Sequence, residues 1–425
     1  MSPATVSELE VFLHDDTVGR LERLPQGRLR FTYDPAWAEA GRRPLSLSLP
    51  VRPDPYEDDR CGPFFEGLLP EGDFLRAVAR AFHVSADNPF SVLAEIGGEC
   101  AGAVSVGAVG EGVPGPTSPP PRWLPEDAIG DLLDQMPKRP LVLLEQIEEE
   151  DGIRISLAGA HDKTGVLVRD GQLGLTAGRP PSTHILKLPI ARVAEPIANE
   201  AYCMTLAAET GLEVAPVEPR RIGDHEFLLV RRYDRAPDGE GRIHQEDFCQ
   251  ALGISPADKY EGEGGPGVAA CATLLRRGSA PAADLPEFLD CLLFNFLIGN
   301  HDAHAKNFSL LLDGPRAIRL APFYDLLSTV VFEGTRKKLA MRLGGENRPK
   351  YLRRRHLDRL ADELEVKPAL VSRRIDVIVA AVRSAQGEAR HRLPTEFQDR
   401  PIIDRVDAVI EERAERLLKA RSEEP

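Results

Sequence analysis

Apolar and polar positions divide the chain into stretches of different period. Near the start, residues 10–13, 28–33 and 103–106 are short and strand-like, while residues 64–82 carry helical spacing. These patterns predict a small α+β domain over residues 1–112. Gly, Pro and Ser then crowd into GEGVPGPTSPPPRWLPED, residues 110–127, a composition that suits a linker or surface crossing, taken here as residues 113–129. Beyond it, ISLAGAHDKTGVLVRDGQLGL alternates and turns at Asp170-Gly171, THILKLP is a second strand, ANEAYCMTLAAETGL has helical spacing ended by Gly211, and HEFLLVRRYDR is again a strand. Residues 130–240 thus form a strand-rich lobe with one prominent helix. From residue 241 to 425 the spacing is mainly helical and includes the almost wholly apolar LPEFLDCLLFNFLIG, which must be buried on most sides. One hairpin interrupts it: residues 308–312, the turn Asp313-Gly314, and residues 318–320.

With 425 residues the chain is long enough for two or three domains. Its formal charge of −14 argues against a general electrostatic grip on nucleic acid, so any DNA contact needs a local basic patch or a partner. Six scattered cysteines, never as CxxC and four of them in apolar surroundings, make neither a disulfide framework nor a zinc knuckle. No basic segment leads into an apolar one at the start and no apolar run approaches a membrane span, so a cytoplasmic protein is expected.

The richest chemistry lies in NHDAHAKNFSLLL, residues 300–312, where Asn300, His301, Asp302, His304, Lys306 and Asn307 stand between two apolar runs. Polar groups at the end of a buried element must be hydrogen-bonded or face a cleft. An Asp followed five residues later by an Asn, as in Asp302 and Asn307, can supply a carboxylate to an incoming hydroxyl and an amide oxygen to a metal from one loop. The hairpin then returns the chain to APFYDLLST, and Asp325 could complete a site of oxygen ligands for magnesium. D-x-x-x-x-N alone is common; the order of buried helix, polar loop, hairpin and second Asp is more telling. Lys187, among Ile185, Leu186 and Leu188, is either a lysine on an edge strand or a phosphate-directed cation paired with Glu200. Zinc held by His301 and His304 is a rival reading, but they are three apart with one hard ligand between them and no HExxH helix.

The sequence resembles the HipA family of serine/threonine kinases, the toxin half of bacterial toxin–antitoxin pairs. The similar stretches run almost end to end: RPLSLSLP, FFEGLLPEG, SLAGAHDKTGVLV, THILKLP, NEAYCMTLA, VRRYDR, HQEDFCQALGI, KYEGEGGPG, GNHDAHAKNFSLLL and APFYDLLST. The resemblance implies an α+β, bilobal, protein-kinase-like fold with an extra N-terminal subdomain, and ATP with magnesium (Mg2+) as cosubstrates. It implies that Asp302 is the catalytic aspartate, that Asn307 and Asp325 hold the metal, and that Lys187, oriented by Glu200, binds phosphate. Ala158, Gly159, Ala160, His161, Asp162 and Lys163 resemble the phosphate loop, and Arg231, Arg232 and Tyr233 the connector under adenine. Many relatives carry Glu where Arg231 stands, which bears on side-chain contacts there but not on backbone ones. His304, Lys306 and Tyr324 would support phosphate or the loop, and Ser156 matches the autophosphorylation site.

The same resemblance implies growth inhibition and persistence, a small helix-turn-helix antitoxin as partner, operator DNA bound mainly through that antitoxin, and an aminoacyl-tRNA synthetase as the kind of protein phosphorylated. KYEGEGGPG, residues 259–267, resembles the substrate-side loop or is a plain interhelix connection, and RPKYLRRRH, residues 348–356, is a solvated helix face or a minor phosphate contact. A small-molecule phosphotransferase and a catalytically silent, antitoxin-binding corepressor are the alternatives; the joint presence of Lys187, Asp302, Asn307 and Asp325 argues against the silent one.

Overall fold

The computed structural model describes residues 7–113, 120–135, 163–176, 180–189, 193–237, 241–314 and 317–423. The chain forms two compact units. The first comprises Met1–Leu188, Arg221–Pro256 and Leu311–Arg316; the second comprises Pro189–Arg220, Ala257–Leu310 and Ala317–Pro425.

In the first unit, strands β1 (Glu8–Leu13), β2 (Asp16–Arg23), β3 (Leu29–Tyr33), β4 (Tyr56–Glu57) and β5 (Val104–Ala108) make an antiparallel sheet in the order β4-β3-β2-β1-β5. Along β3, Leu29, Phe31 and Tyr33 are buried while Arg30 and Thr32 are less so, the period of two that a one-sided sheet requires. The helix Asp58–Gly67 lays Phe64 and Phe65 on that face, with the Phe31 and Phe65 rings 5.6 Å apart. Tyr33 supplies both an apolar body and a polar tip: its hydroxyl donates to the Leu49 carbonyl at 2.5 Å and accepts from the Leu45 amide at 2.8 Å. RPLSLSLP is thereby pinned to the sheet. Its Ser46 hydroxyl and Leu47 amide also donate to the two carboxylate oxygens of Glu246, at 2.5 and 3.0 Å.

A second sheet in this unit runs in the order β11-β9-β7-β8-β6, from β6 (Arg122–Leu124), β7 (Lys163–Arg169), β8 (Gln172–Leu175), β9 (His184–Lys187) and β11 (His225–Arg231); β10 (Val217–Ile222) spans the division between the units. The tight hairpin at Asp170-Gly171 forms with both residues at positive φ, 50° and 80°, as an Asp-Gly turn allows. Part of the segment expected to be a linker is structured. Arg122–Leu124 pairs with β8 and the helix Glu126–Gln135 follows, because Leu124, Ile129, Leu132 and Leu133 are buried with the sheet's own Leu173, Leu175 and Leu186.

One buried ion network joins four segments of the first unit. Arg232 donates to Glu99 at 3.0 Å, to the Ser182 hydroxyl at 2.9 Å and to Asp234 at 2.9 and 2.8 Å. Arg235 reaches Glu99 at 2.6 Å, and Arg242 caps the carbonyls of Cys100, Gly102 and Val104. Burial alone would push the Glu99 and Asp234 carboxyls up, but the surrounding guanidinium groups outweigh it and hold both below the ordinary carboxylate range. Gly102 closes the arrangement: its amide donates to Asp234 at 2.6 Å, its φ is 68°, and a Cβ there would meet the Gln245 amide nitrogen at 2.6 Å.

The second unit is mainly helical, with Pro196–Glu209, Val268–Arg276, Pro281–Ile298, Arg354–Glu363, Pro368–Arg392 and Pro401–Ser422. Pro281–Ile298 is buried continuously from Phe288 to Ile298 and packs on the helices Pro368–Arg392 and Pro401–Ser422. The sequence placed four cysteines in the core; all six are buried and unbridged, and desolvation pushes the Cys61 and Cys100 thiols up to about 12. No described helix is long and apolar enough to cross a membrane.

The ion network predicts a large penalty for breaking it on one side. Replacing Glu99 by Ala should cost about 3–5 kcal/mol, read from the urea unfolding midpoint, because two buried guanidinium groups lose their shared carboxylate. Since both carboxyls are depressed in the folded chain, their stabilisation is complete above the unfolded carboxylate value of about 4 and is lost as pH falls through the folded values. An unchanged midpoint for Glu99→Ala at neutral pH would show that the network contributes little.

Candidate active site

The loop of residues 300–307 lies wholly in the second unit, and its position is set by how the buried helix ends. Gly299 stops Pro281–Ile298 with φ 72°, its amide bonding to the Phe296 carbonyl and that of Asn300 to Asn295 at 2.9 Å. A Cβ at Gly299 would come within 2.4 Å of Val330, so the close approach of the neighbouring segment also demands glycine. Asn300, 2 % exposed, donates its amide to Asn295 Oδ1 at 2.8 Å and accepts from the Asp302 backbone amide at 3.0 Å. A buried Asn pair thus turns the chain out of the helix and presents Asp302.

Around Asp302 the groups converge. Asn307 donates its side-chain amide to the Asp302 carbonyl at 3.1 Å, so its own Oδ1 stays available as an oxygen ligand. The Tyr260 hydroxyl donates to Asp302 Oδ1 at 2.8 Å. Burial raises the Asp302 pKa above its ordinary value; the charge of Asp325 raises it further, while the Tyr260 hydrogen bond, Lys259 and Arg336 pull it down. A carboxylate with raised pKa that still accepts a hydroxyl proton is suited to general-base work.

Asp325 arrives by the returning hairpin, strand Ser309–Leu312 to strand Arg319–Leu320, closed by the Ala321 amide on the Ser309 carbonyl at 2.9 Å. Asp284, buried in the first turn of Pro281–Ile298, holds the return by accepting from Arg319 at 2.9 Å and from the Leu320 amide at 3.2 Å. Just past it, Asn199 exchanges two hydrogen bonds of 2.9 Å with the Ser328 backbone. The Asp325 backbone itself takes φ 59°, a left-handed conformation that costs a non-glycine residue about 1 kcal/mol or more and recurs at functional positions. Tyr324 is committed locally, its hydroxyl bonding to the Lys306 carbonyl and the Ser309 hydroxyl at 2.9 Å each. His304 and Lys306 are buried, and the His304 ring stands edge-on to Tyr260 at 5.1 Å.

The remaining sequence candidates are distributed as follows. Lys187 is 8 % exposed on β9, opposite Leu228 of β11 on one side and Lys163 of β7 on the other. It is therefore on an interior strand, which removes the edge-strand alternative. Arg231 is exposed at the end of β11, and the Tyr233 hydroxyl bonds to Gln245. Arg232, expected on the connector, spends its guanidinium in the buried ion network and its amide on the Thr183 carbonyl at 3.0 Å, so its side chain is not left for a ligand. Lys187 and these connector residues belong to the first unit, while Glu200, buried in the helix Pro196–Glu209, belongs to the second. Ser156, Ala158, Gly159, Ala160, His161 and Asp162 lie outside the described residues.

Two features escaped the sequence reading. Tyr260 sits in KYEGEGGPG, a stretch noticed for its glycines rather than for the one hydroxyl that reaches Asp302. Its aromatic ring is overlaid by the Arg336 guanidinium at 3.8 Å, and Arg336 pairs with Glu263 at 3.2 Å, so the stretch is clamped. The basic run at 348–356 is not a uniform helix face. It comprises a 3₁₀ turn, Pro349–Tyr351, and the start of Arg354–Glu363, with Arg348, Arg353 and Arg354 near Glu346, Glu423 and Asp358 and a buried His356 capping the Arg353 amide. Acidic partners blunt its charge.

Residues 155–386 match the HipA-like C-terminal domain and residues 9–107 the HipA N-terminal domain. The chain is 45 % identical over 351 residues to Y4mE of Sinorhizobium fredii, covering 80 % of this chain and 81 % of that one, and 30 % identical over 422 residues to Y4dM of the same organism, covering 94 % and 96 %; both are provisionally named as kinases. It is 29 % identical over 427 residues to the serine/threonine-protein kinase toxin HipA of Shewanella oneidensis, covering 94 % of this chain and 93 % of that one. The solved structure of Shewanella oneidensis HipA with HipB and operator DNA superposes with a TM-score of 0.79 at 26 % identity, over 97 % of this chain and 96 % of that one. The α+β fold, the two matched domains spanning most of the sequence and the end-to-end relatives lead to one conclusion: this chain belongs to the HipA-like family.

Proposed function

We propose that this chain is a serine/threonine-protein kinase and the toxin of a toxin–antitoxin pair, transferring the γ-phosphate of ATP to a protein hydroxyl. The observation that carries the reading is the constellation on the 300–307 loop: a half-buried Asp302 with a hydroxyl already hydrogen-bonded to it, Asn307 tethered to the Asp302 carbonyl, and Asp325 near enough to raise the Asp302 pKa. The relatives named as kinases support it.

In this reading Asp302 accepts the proton of the incoming serine or threonine hydroxyl, at the position where Tyr260 now donates. Asn307 Oδ1 and the Asp325 carboxylate are the ligands for magnesium. They fit that ion as hard oxygen donors, and the hydrogen bond that the Asn307 amide donates to the loop uses its nitrogen rather than its oxygen. When bound, the ion would neutralise phosphate charge. Lys187 and Lys163 are assigned to the phosphates of ATP, and the backbone of Arg231, Arg232 and Tyr233 to the adenine. His304 and Lys306 keep the catalytic loop in shape from within. Ala158, Gly159, Ala160, His161 and Asp162 would cover the phosphates, and Ser156 would be the autophosphorylation site, where a phosphate adds about −1.5 to −2 charges to a segment that must fold over ATP.

The protein substrate is inferred to be an aminoacyl-tRNA synthetase, with growth arrest as the outcome. A helix-turn-helix antitoxin is the proposed partner, with operator DNA bound mainly through it. The Shewanella oneidensis relative was solved with HipB and operator DNA, which supports this assembly.

Intact mass after incubation with magnesium and ATP tests the chemistry. The phosphatase-treated protein should gain one phosphate, absent from Ser156→Ala, and Asp302→Asn should slow the gain by at least about 10²-fold. Asp325→Asn should abolish it at ordinary magnesium concentrations. A gain of equal rate in Asp302→Asn would remove that residue from catalysis and with it this reading.

Tyr260→Phe isolates the hydroxyl on the base. That hydrogen bond favours the ionised carboxylate, so removing it raises the Asp302 pKa further, and a base must be ionised to work. The acid limb of the kcat/KM profile should therefore move to higher pH; a shift to lower pH, or none, would contradict the role given to Tyr260.

A further inference from the structure

A cavity of about 390 Å³ lies in the second unit on the His301 side of the catalytic loop, bordered by His301, Val330, Phe332, Thr335, Lys337 and Arg413. Three of these side chains are cationic or able to become so, and no carboxylate lines it. Its construction is specific. The Thr335 hydroxyl closes the 329–335 turn by bonding to the carbonyls of Thr329 and Phe332 at 2.9 and 3.0 Å, and the Thr329 hydroxyl accepts from the His301 amide at 2.8 Å.

Two nitrogen atoms at this cavity lack what such atoms ordinarily have. His301 is 3 % exposed; its Nδ1 is engaged with the Arg336 carbonyl at 2.7 Å, while its buried Nε2 has no hydrogen-bond partner among the described residues. Arg413 Nε is likewise buried without one. The Arg413 guanidinium rests 5.5 Å from the Phe296 ring centroid, and no ion pair joins it to any described carboxylate. Burial depresses its pKa, with the charge of Glu412 opposing and that of Arg416 adding to the effect. Arg413 is half-buried, but burying its Nε beside an imidazole nitrogen, both without a hydrogen-bond partner, is costly unless a ligand completes the set.

We propose that this cavity binds a phosphate group, as the free ion or as a phosphomonoester. Arg413 supplies a planar donor fork, and the exposed Lys337 supplies a mobile ammonium at the mouth. His301 Nε2 accepts the proton of a hydrogenphosphate, or donates once the bound charge holds a second proton on the ring. Because Nδ1–H is committed to the Arg336 carbonyl, Nε2 is the ring atom left for the ligand. The site also touches the catalytic loop by construction. His301 immediately precedes Asp302, and the Arg336 that holds its ring lies over Tyr260, which donates to Asp302. Occupancy would thus brace His301 and the 329–337 segment against the loop.

The test is calorimetric titration of the full-length chain without nucleotide or magnesium, using inorganic phosphate and, separately, N-acetyl-O-phosphoserine amide. Saturable binding of at least one probe, weakened about tenfold in both Lys337→Glu and Arg413→Met, is the expected result, tenfold being the loss of one charge-assisted contact. Lys337 is exposed, so its charge reversal keeps the fold even if Arg413→Met does not. Tighter binding of the ester would assign the site to a phosphorylated side chain; equal binding would assign it to the free ion. No saturable binding of either probe, or binding unaltered in Lys337→Glu, would overturn the proposal. So would binding lost in Lys187→Met and retained in Lys337→Glu, since the anion would then sit elsewhere. Kinase activity enters none of these outcomes.

Discussion

The second unit depends on one constraint: a nearly all-apolar helix, Pro281–Ile298, ends inside the protein, and the polar residues that follow it have little water to satisfy them. Every polar group there needs an internal partner. The answer is a set of short side-chain bonds, Asn295 to Asn300, Asn300 to the Asp302 amide, and Asn307 to the Asp302 carbonyl. Because these bonds make the loop rigid, they also fix where the Asp302 carboxylate points. Satisfying the buried backbone and preorganising a carboxylate are the same act here.

The price of that rigidity is visible at neighbouring positions. Gly299 is forced by its own φ and by Val330, and Asp325 is held in a left-handed conformation between the hairpin and the Asn199–Ser328 pair. Strain held in place by surrounding hydrogen bonds is found where a side chain must be aimed rather than merely packed. The first unit solves a related problem with charge. Glu99, Arg232, Asp234, Arg235 and Arg242 gather segments distant in sequence into one desolvated cluster, in which the first four are paired with opposite charges and Arg242 is held by backbone carbonyls.

Arg336 connects the features of the loop's surroundings. Its carbonyl holds the His301 ring, its guanidinium covers Tyr260 and pairs with Glu263, and Tyr260 in turn bonds to Asp302. The glycine-rich stretch carrying Tyr260 is therefore a clamped element whose hydroxyl holds the place a substrate hydroxyl would take in the proposed reaction. In the proposed reaction, such an arrangement makes the protonation of Asp302 sensitive to a contact that the substrate would displace.

By itself the sequence determined the helices and strands with strong periodicity, the Asp-Gly hairpin, the buried helix ending in Gly299, and the loop bearing Asp302 and Asn307, since these are set by spacing over a few neighbouring residues. The end-to-end motif order also carried the family. Tertiary structure alone decided that Lys187 lies on an interior strand, that Arg122–Leu124 becomes an edge strand rather than linker, and that Arg232 is an ion-network residue. It decided equally that Tyr260, 42 positions from Asp302, is its hydrogen-bond donor, and that His301 and Arg413 border one cavity. The physical reason is common to all of these. Strand neighbours, ion partners and cavity walls come from contacts between distant segments, whose energies depend on desolvation and geometry that no local pattern of residues encodes.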